Sequence, residues 1–136
     1  MGKAIGIDFG LKRTGISISD DLRIIATPLT TVASEVLMDF LIDLVKKQSV
    51  DALVLGYPLA LNGKDTDITP NVRLLKNALE KQFPMLSVSL FDERMTSKIA
   101  QRTLVQITSK KKRRDKGSID KLSATIILQD YLNSKC

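Results

Sequence analysis

The chain has 136 residues, 43% hydrophobic and 26% charged, which suits one globular domain spanning 1–136 with one aliphatic core, since aromatics are only 4%. It has no histidine and one cysteine, Cys136, which excludes internal disulfides, Cys-based zinc sites and every catalytic scheme that needs an imidazole. The formal net charge is +6, and residues 94–117 hold nine Lys or Arg against the single acid Asp115, so the remainder sums to −2.

Lys3–Asp8 alternates, with Ile5 and Ile7 opposed to Ala4, Gly6 and Asp8, as a half-buried strand does. Thr14–Ser19 alternates likewise. Asp20-Asp21 reads as a turn, and Leu22–Thr27 as a third strand ended by Pro28. Ser34 is the expected cap of a helix over 35–48, whose apolar residues recur at three-to-four spacing. Ala52–Leu55 is a short apolar run closed by Gly56, the pattern of a buried parallel strand. Thr69 caps the next helix, with Pro70 at its first position. Leu86–Phe91 is a fifth strand. Thr96 caps a helix over 97–107 and Ser118 a last one over 119–132. The order βββ-α-β-α-β-α-α predicts an α/β protein with a mixed five-stranded sheet, three antiparallel strands followed by parallel ones, flanked by helices.

Three acidic positions stand out. Asp8 ends the first strand on the face that otherwise carries only Ala4 and Gly6; a turn-forming Asp before Gly10 is the plain alternative. Asp92-Glu93-Arg94 follows the fifth strand, at the carboxyl edge where α/β sheets place their crevices. Either acid could instead pair with Arg94 or favour the start of the following helix. Asp120 heads a stripe with Ala124, Ile127 and Tyr131 that should face the sheet, although a first-turn acid can also serve the helix dipole. Together these carboxylates suit Mg²⁺ or Mn²⁺, because hard cations take oxygen ligands. Two such ions about 4 Å apart can activate a water and stabilise the leaving oxygen of a phosphodiester. The basic run Lys110, Lys111, Lys112, Arg113, Arg114 and Lys116 precedes the helix of Asp120 and is placed to hold phosphates, with Arg94 and Arg13 as helpers. Like-charge repulsion predicts that Thr108–Gly117 is mobile without a ligand. Gly56-Tyr57-Pro58 through Gly63 shapes a loop at the same edge.

Taken in order, several segments resemble the YqgF/RuvX family, which is associated with processing of pre-16S ribosomal RNA and with Holliday junction resolvase-like proteins. They are Gly6-Ile7-Asp8-Phe9-Gly10 with Lys12-Arg13-Thr14-Gly15, Gly56-Tyr57-Pro58 with Gly63, Asp92-Glu93-Arg94-Met95-Thr96 with Ala100, and Lys116-Gly117-Ser118-Ile119-Asp120-Lys121 with Ile127-Leu128 and Tyr131-Leu132. Tyr57 stands where the family usually has Leu, and Ser97 and Ser123 where Thr and Ala are common. The resemblance implies an RNase H-like fold and a metal-dependent nuclease with Asp8, Glu93 and Asp120 as catalytic metal ligands and Asp92 as the alternate to Glu93. It further implies processing of the 5′ end of pre-16S rRNA in ribosome biogenesis. With no apolar run near the roughly 20 residues that cross a membrane and no signal-peptide pattern at the start, a cytoplasmic protein without a membrane partner is expected, as a monomer or weak homodimer. A DNA nuclease acting on Holliday junctions, an RNA- or ribosome-binding module with little turnover, and an actin-like ATPase are the competing readings. The last is disfavoured because one short domain is too small to clamp a nucleotide between halves.

Overall fold

The computed structural model describes residues 2–60, 62–95 and 116–135, with backbone alone for Met95 and 116–119. Five strands form one sheet: β1 (Lys3–Asp8), β2 (Arg13–Ser19), β3 (Ala26–Ala33), β4 (Val50–Tyr57) and β5 (Ser87–Asp92). Their order is β3-β2-β1-β4-β5. β1 pairs antiparallel with β2, and β2 with β3, whereas β1–β4 and β4–β5 are parallel. The helices are α1 (Leu37–Lys47), α2 (Thr69–Gln82) and α3 (Lys116–Ser134). The mixed sheet is thus the one expected. The expected helix over 97–107, its cap Thr96 and the basic residues 110–115 lie outside the described residues. No helix among the described residues is long and apolar enough to cross a membrane.

The two faces of the sheet are built from different residues. On one face Ile5, Ile7, Ile16, Leu53 and Leu55 pack against Leu37, Leu41 and Leu44 of α1 and Val72 and Leu79 of α2. The other face is made of small residues, and α3 lies on it. There Ala4, Ala52 and Val54 meet Ile127, Leu128 and Leu132. The Ser17 hydroxyl donates to the Ala124 carbonyl at 2.8 Å, and a Cβ on Gly6 would come within 2.7 Å of the Leu128 Cβ. Small side chains let the helix approach, and a polar one is tolerated because it finds a helix carbonyl.

Three expectations need correction. The third strand is Ala26–Ala33, not Leu22–Thr27, and Pro28 lies inside it. β3 is an edge strand, and the register shifts between Ile16 and Ser17, opposite Pro28. A proline that cannot donate is accommodated at such an edge or bulge. Residues 20–25 form the preceding turn, with the Asp20 carboxylate accepting from the backbone N–H groups of Ile24 and Ile25 at 2.7 and 2.9 Å. Ser34 does not cap a helix by its side chain. Its hydroxyl donates to the Gly10 carbonyl and shares a 2.8 Å bond with Thr14, so it fixes the β1–β2 turn. Thr69 and Ser118 likewise do not cap. Thr69 is the first residue of α2 and donates to the Pro58 carbonyl at 2.6 Å, while α3 is already helical at Lys116.

Candidate active site

Asp8 is the last residue of β1 and projects to the α3 face. Register decides what surrounds it. On one side Asp8 pairs with Gly15 of β2; on the other, Ile7 pairs with Leu55, which brings Gly56 of β4 alongside. Each flanking glycine admits one of the other two acids. A Cβ on Gly15 would lie 2.0 Å from the carbonyl oxygen of Asp120, so the α3 backbone rests directly on β2 there. A Cβ on Gly56 would lie 3.2 Å from the Glu93 carboxylate, which folds back over β4 from the short 3-10 turn Glu93–Met95. Both glycines serve close approach rather than an unusual backbone angle, since among the described glycines only Gly63 has positive φ.

The electrostatics follow from this crowding. Burial, then the negative charges of Glu93 and Asp120, push the Asp8 carboxyl up to about 8. Burial and the neighbouring Asp92 raise the Glu93 carboxyl too. Asp92 behaves oppositely. The Arg94 guanidinium donates to it from Nε and Nη2, the latter at 2.6 Å, and holds its carboxyl below the usual range. The adjacent acids left open by sequence thus differ physically: Asp92 is neutralised by Arg94, whereas Glu93 leans on the strand next to Asp8. The Nη1 of Arg94 reaches toward Gly63, whose own turn carries φ +83°. Asp120 meets Arg13, whose Nε lies 3.1 Å from Oδ2. Of the basic run, only the backbone of Lys116 is described, at the start of α3.

Sequence reasoning named Gly15 and Gly56 but missed that they seat the other two acids, and it missed the Arg13–Asp120 pair and the brace behind the β4–α2 loop. In that brace Arg73 donates to the Tyr57 hydroxyl at 2.7 Å and to both oxygens of Asp65. The alternation of β2 does put Arg13 and Gly15 on one face, so that signal was present.

Among the described residues no three acidic side chains stand close enough to enclose one ion. The donor set nevertheless fits a hard divalent cation. It is all carboxylate oxygen, and among the described residues no cation pairs with Asp8, the most buried of the three positions.

A pH dependence follows for the metal-free chain. The raised Asp8 carboxyl gives stability that is complete below its ordinary 3.8 and lost as pH rises through about 8. Glu93 acts in the same direction. The lowered Asp92 acts only on acidification, below this window. In chelator, stability and with it Tm are expected to fall steadily from pH 5 to pH 8, by at most about 1.4 kcal/mol per pH unit from Asp8 alone. Asp8→Asn should flatten the profile; a flat wild-type profile would show that Asp8 is not held protonated.

The chain matches the family described as RuvX, Holliday junction resolvase, over residues 2–134. A protein of Amoebophilus asiaticus is 48% identical over 135 residues, covering 98% of this chain and 96% of the relative, and is named "Putative pre-16S rRNA nuclease". One of Bacteroides fragilis with the same name is 42% identical, covering 99% of each. In fold the chain is similar to Thermus thermophilus RuvC in complex with a Holliday junction substrate, with TM-score 0.61 and 13% identity over 98% of this chain and 96% of that one. Thermus thermophilus RuvC is likewise similar at TM-score 0.61 and 10% identity. The α/β sheet is therefore RNase H-like, and with the family match running almost end to end the chain belongs to the RuvX family of phosphodiester-cleaving hydrolases.

Proposed function

We propose that this chain is a cytoplasmic, metal-dependent endonuclease acting on structured nucleic acid, with pre-16S rRNA processed at its 5′ end as the substrate. The observation that carries this reading is the pair of glycines beside Asp8, which bring Glu93 and the Asp120 backbone against the same strand end. A buried Asp8 that feels the charges of Glu93 and Asp120 and has no paired cation among the described residues is costly to ionise, unless a divalent ion offsets the repulsion. The relatives' printed names give the substrate class.

In this reading Asp8, Glu93 and Asp120 hold Mg²⁺ or Mn²⁺. When bound, such ions supply Lewis acidity to the attacking water and neutralise charge on the leaving oxygen. The chain's own residues provide rigidity and orientation. Asp8 sits on a central strand, Glu93 is seated on Gly56, and Asp120 is fixed by helix–strand contact at Gly15. Arg94 closes on Asp92, which keeps that acid from competing with Glu93 for the ion. Arg13, Arg94 and the run Lys110 to Lys116 contact phosphates. Lys116 opens α3 about one helical turn before Asp120, so the end of the basic run is continuous with the helix that bears that acid.

The test is incubation of the purified chain, with Mg²⁺ or Mn²⁺, with precursor 16S rRNA and with a four-way DNA junction. Cleavage at a discrete 5′ position of the RNA is expected, with activity from a monomer or weak homodimer. Paired nicks in the junction with intact RNA would replace this reading with that of a DNA resolvase. Binding without cleavage of either would replace it with that of a binding module.

A further inference from the structure

Arg13 and Asp120 belong to different elements, yet their side chains meet. Arg13 opens β2 and shares its face with Gly15, on which the Asp120 backbone rests. Its Nε lies 3.1 Å from Asp120 Oδ2, with the two side chains 42% and 27% exposed. The backbone at both ends is anchored. Arg13 pairs with Ala33 in β3, and Asp120 is locked against Gly15, so the pair opens by side-chain rotation alone. An ion pair this exposed contributes about 0.2–1 kcal/mol. That is enough to aim a side chain and too little to resist a divalent cation.

Resting on the nuclease reading above, we infer that Arg13 is a positioning residue that competes with the metal for Asp120, and that the guanidinium released on metal binding engages a phosphate of the nucleic acid. Arg13 is the one cation among the described residues paired to any of the three acids Asp8, Glu93 and Asp120. Without metal it offsets the negative charge of Asp120. Once an ion takes Asp120, the freed guanidinium stands at the rim of a site whose positive charge has risen. Its planar fork of donors then suits a phosphate oxygen pair. The acid it leaves and the phosphate it meets are both at the mouth of the site, so the movement is one of side-chain rotamers.

Removing Arg13 should therefore tighten metal binding while weakening engagement of nucleic acid. By calorimetric titration of the full chain with Mn²⁺, R13Q is expected to bind about two- to fivefold more tightly than wild type, the equivalent of the surface pair. At saturating Mn²⁺ its KM for RNA should rise by about tenfold, the loss of one charge-assisted phosphate contact. R13K, which keeps the charge without the fork, should bind Mn²⁺ as wild type does and recover only part of the KM. The gain in metal affinity should vanish on the D120N background. Unchanged or weaker Mn²⁺ binding by R13Q would overturn the competition, and an unchanged KM would overturn the phosphate contact. D8N in the same titration separates the two levels: if it binds Mn²⁺ as wild type does, the metal-site reading itself fails, whereas loss of binding by D8N with no gain in R13Q defeats only the role of Arg13.

Discussion

Asp8→Asn is expected to abolish cleavage, lowering the rate by on the order of a thousandfold or more, while the chain stays folded and still binds nucleic acid. Asparagine keeps the shape of the side chain and removes the charge. A ligated metal contributes several kcal/mol of transition-state stabilisation, and each 1.4 kcal/mol is about tenfold in rate. The fold should not suffer, because the substitution also relieves the repulsion from Glu93 and Asp120 that raises the Asp8 carboxyl. In chelator at pH 8 the variant should melt above wild type, and the gap should close at pH 5. Cleavage retained by D8N, in a preparation matched to a mock purification, would remove Asp8 from the chemistry.

Gly15→Ala is expected to destabilise the chain by about 3 kcal/mol or more, at or above the top of the usual range for overpacking. Its added Cβ would meet the Asp120 carbonyl oxygen at 2.0 Å and the carbonyl carbon at 2.2 Å. These are backbone atoms, so no rotamer change relieves the clash, and α3 must lift from the sheet. Gly15 sits at ordinary strand angles, so the cost is steric and not conformational. Gly63→Ala makes the useful contrast. It lies at φ +83° with its nearest neighbour the Arg94 Nη1 at 3.4 Å, and should cost only about 1 kcal/mol. A fall in Tm of more than about 10 °C for G15A, against a few degrees for G63A, is the expected pattern. Lifting α3 also displaces Asp120, so G15A that remains folded should lose metal affinity. A variant melting within 2 °C of wild type, roughly the effect of less than 1 kcal/mol, would show that the close approach at β2 is not structural.

Much of this architecture is written in local pattern. The alternation of Lys3–Asp8 placed Asp8 on the small-residue face, and the spacing of Asp120, Ala124 and Ile127 placed Asp120 toward the sheet; Ala124 and Ile127 are buried there. Pro28 misled because proline reads as a strand terminator, whereas an edge position next to a register shift accepts it. Ser34 misled because its hydroxyl has two long-range partners, Gly10 and Thr14, that outcompete a cap. Asp92 and Glu93 could not be told apart from sequence, since the difference lies in the Arg94 fork and in Gly56 across the sheet. Gly15 pairs with Asp8 across a short hairpin and was within reach of the sequence, but the seat at Gly56 depends on the parallel pairing of β1 with the distant β4, which leaves no local trace.

The small-residue face of the sheet has a consequence for how the protein becomes active. Glu93 and Asp8 are seated by strand pairing, but Asp120 arrives only when its helix settles onto Gly6, Gly15 and Ser17. On the proposed site, a ribosome threading the chain outward from its amino end displays two of the three acids before the third can join them. If Asp120 holds the metal as proposed, competence is gated by the docking of one helix, and partial fraying of that helix would silence the centre long before the sheet melts.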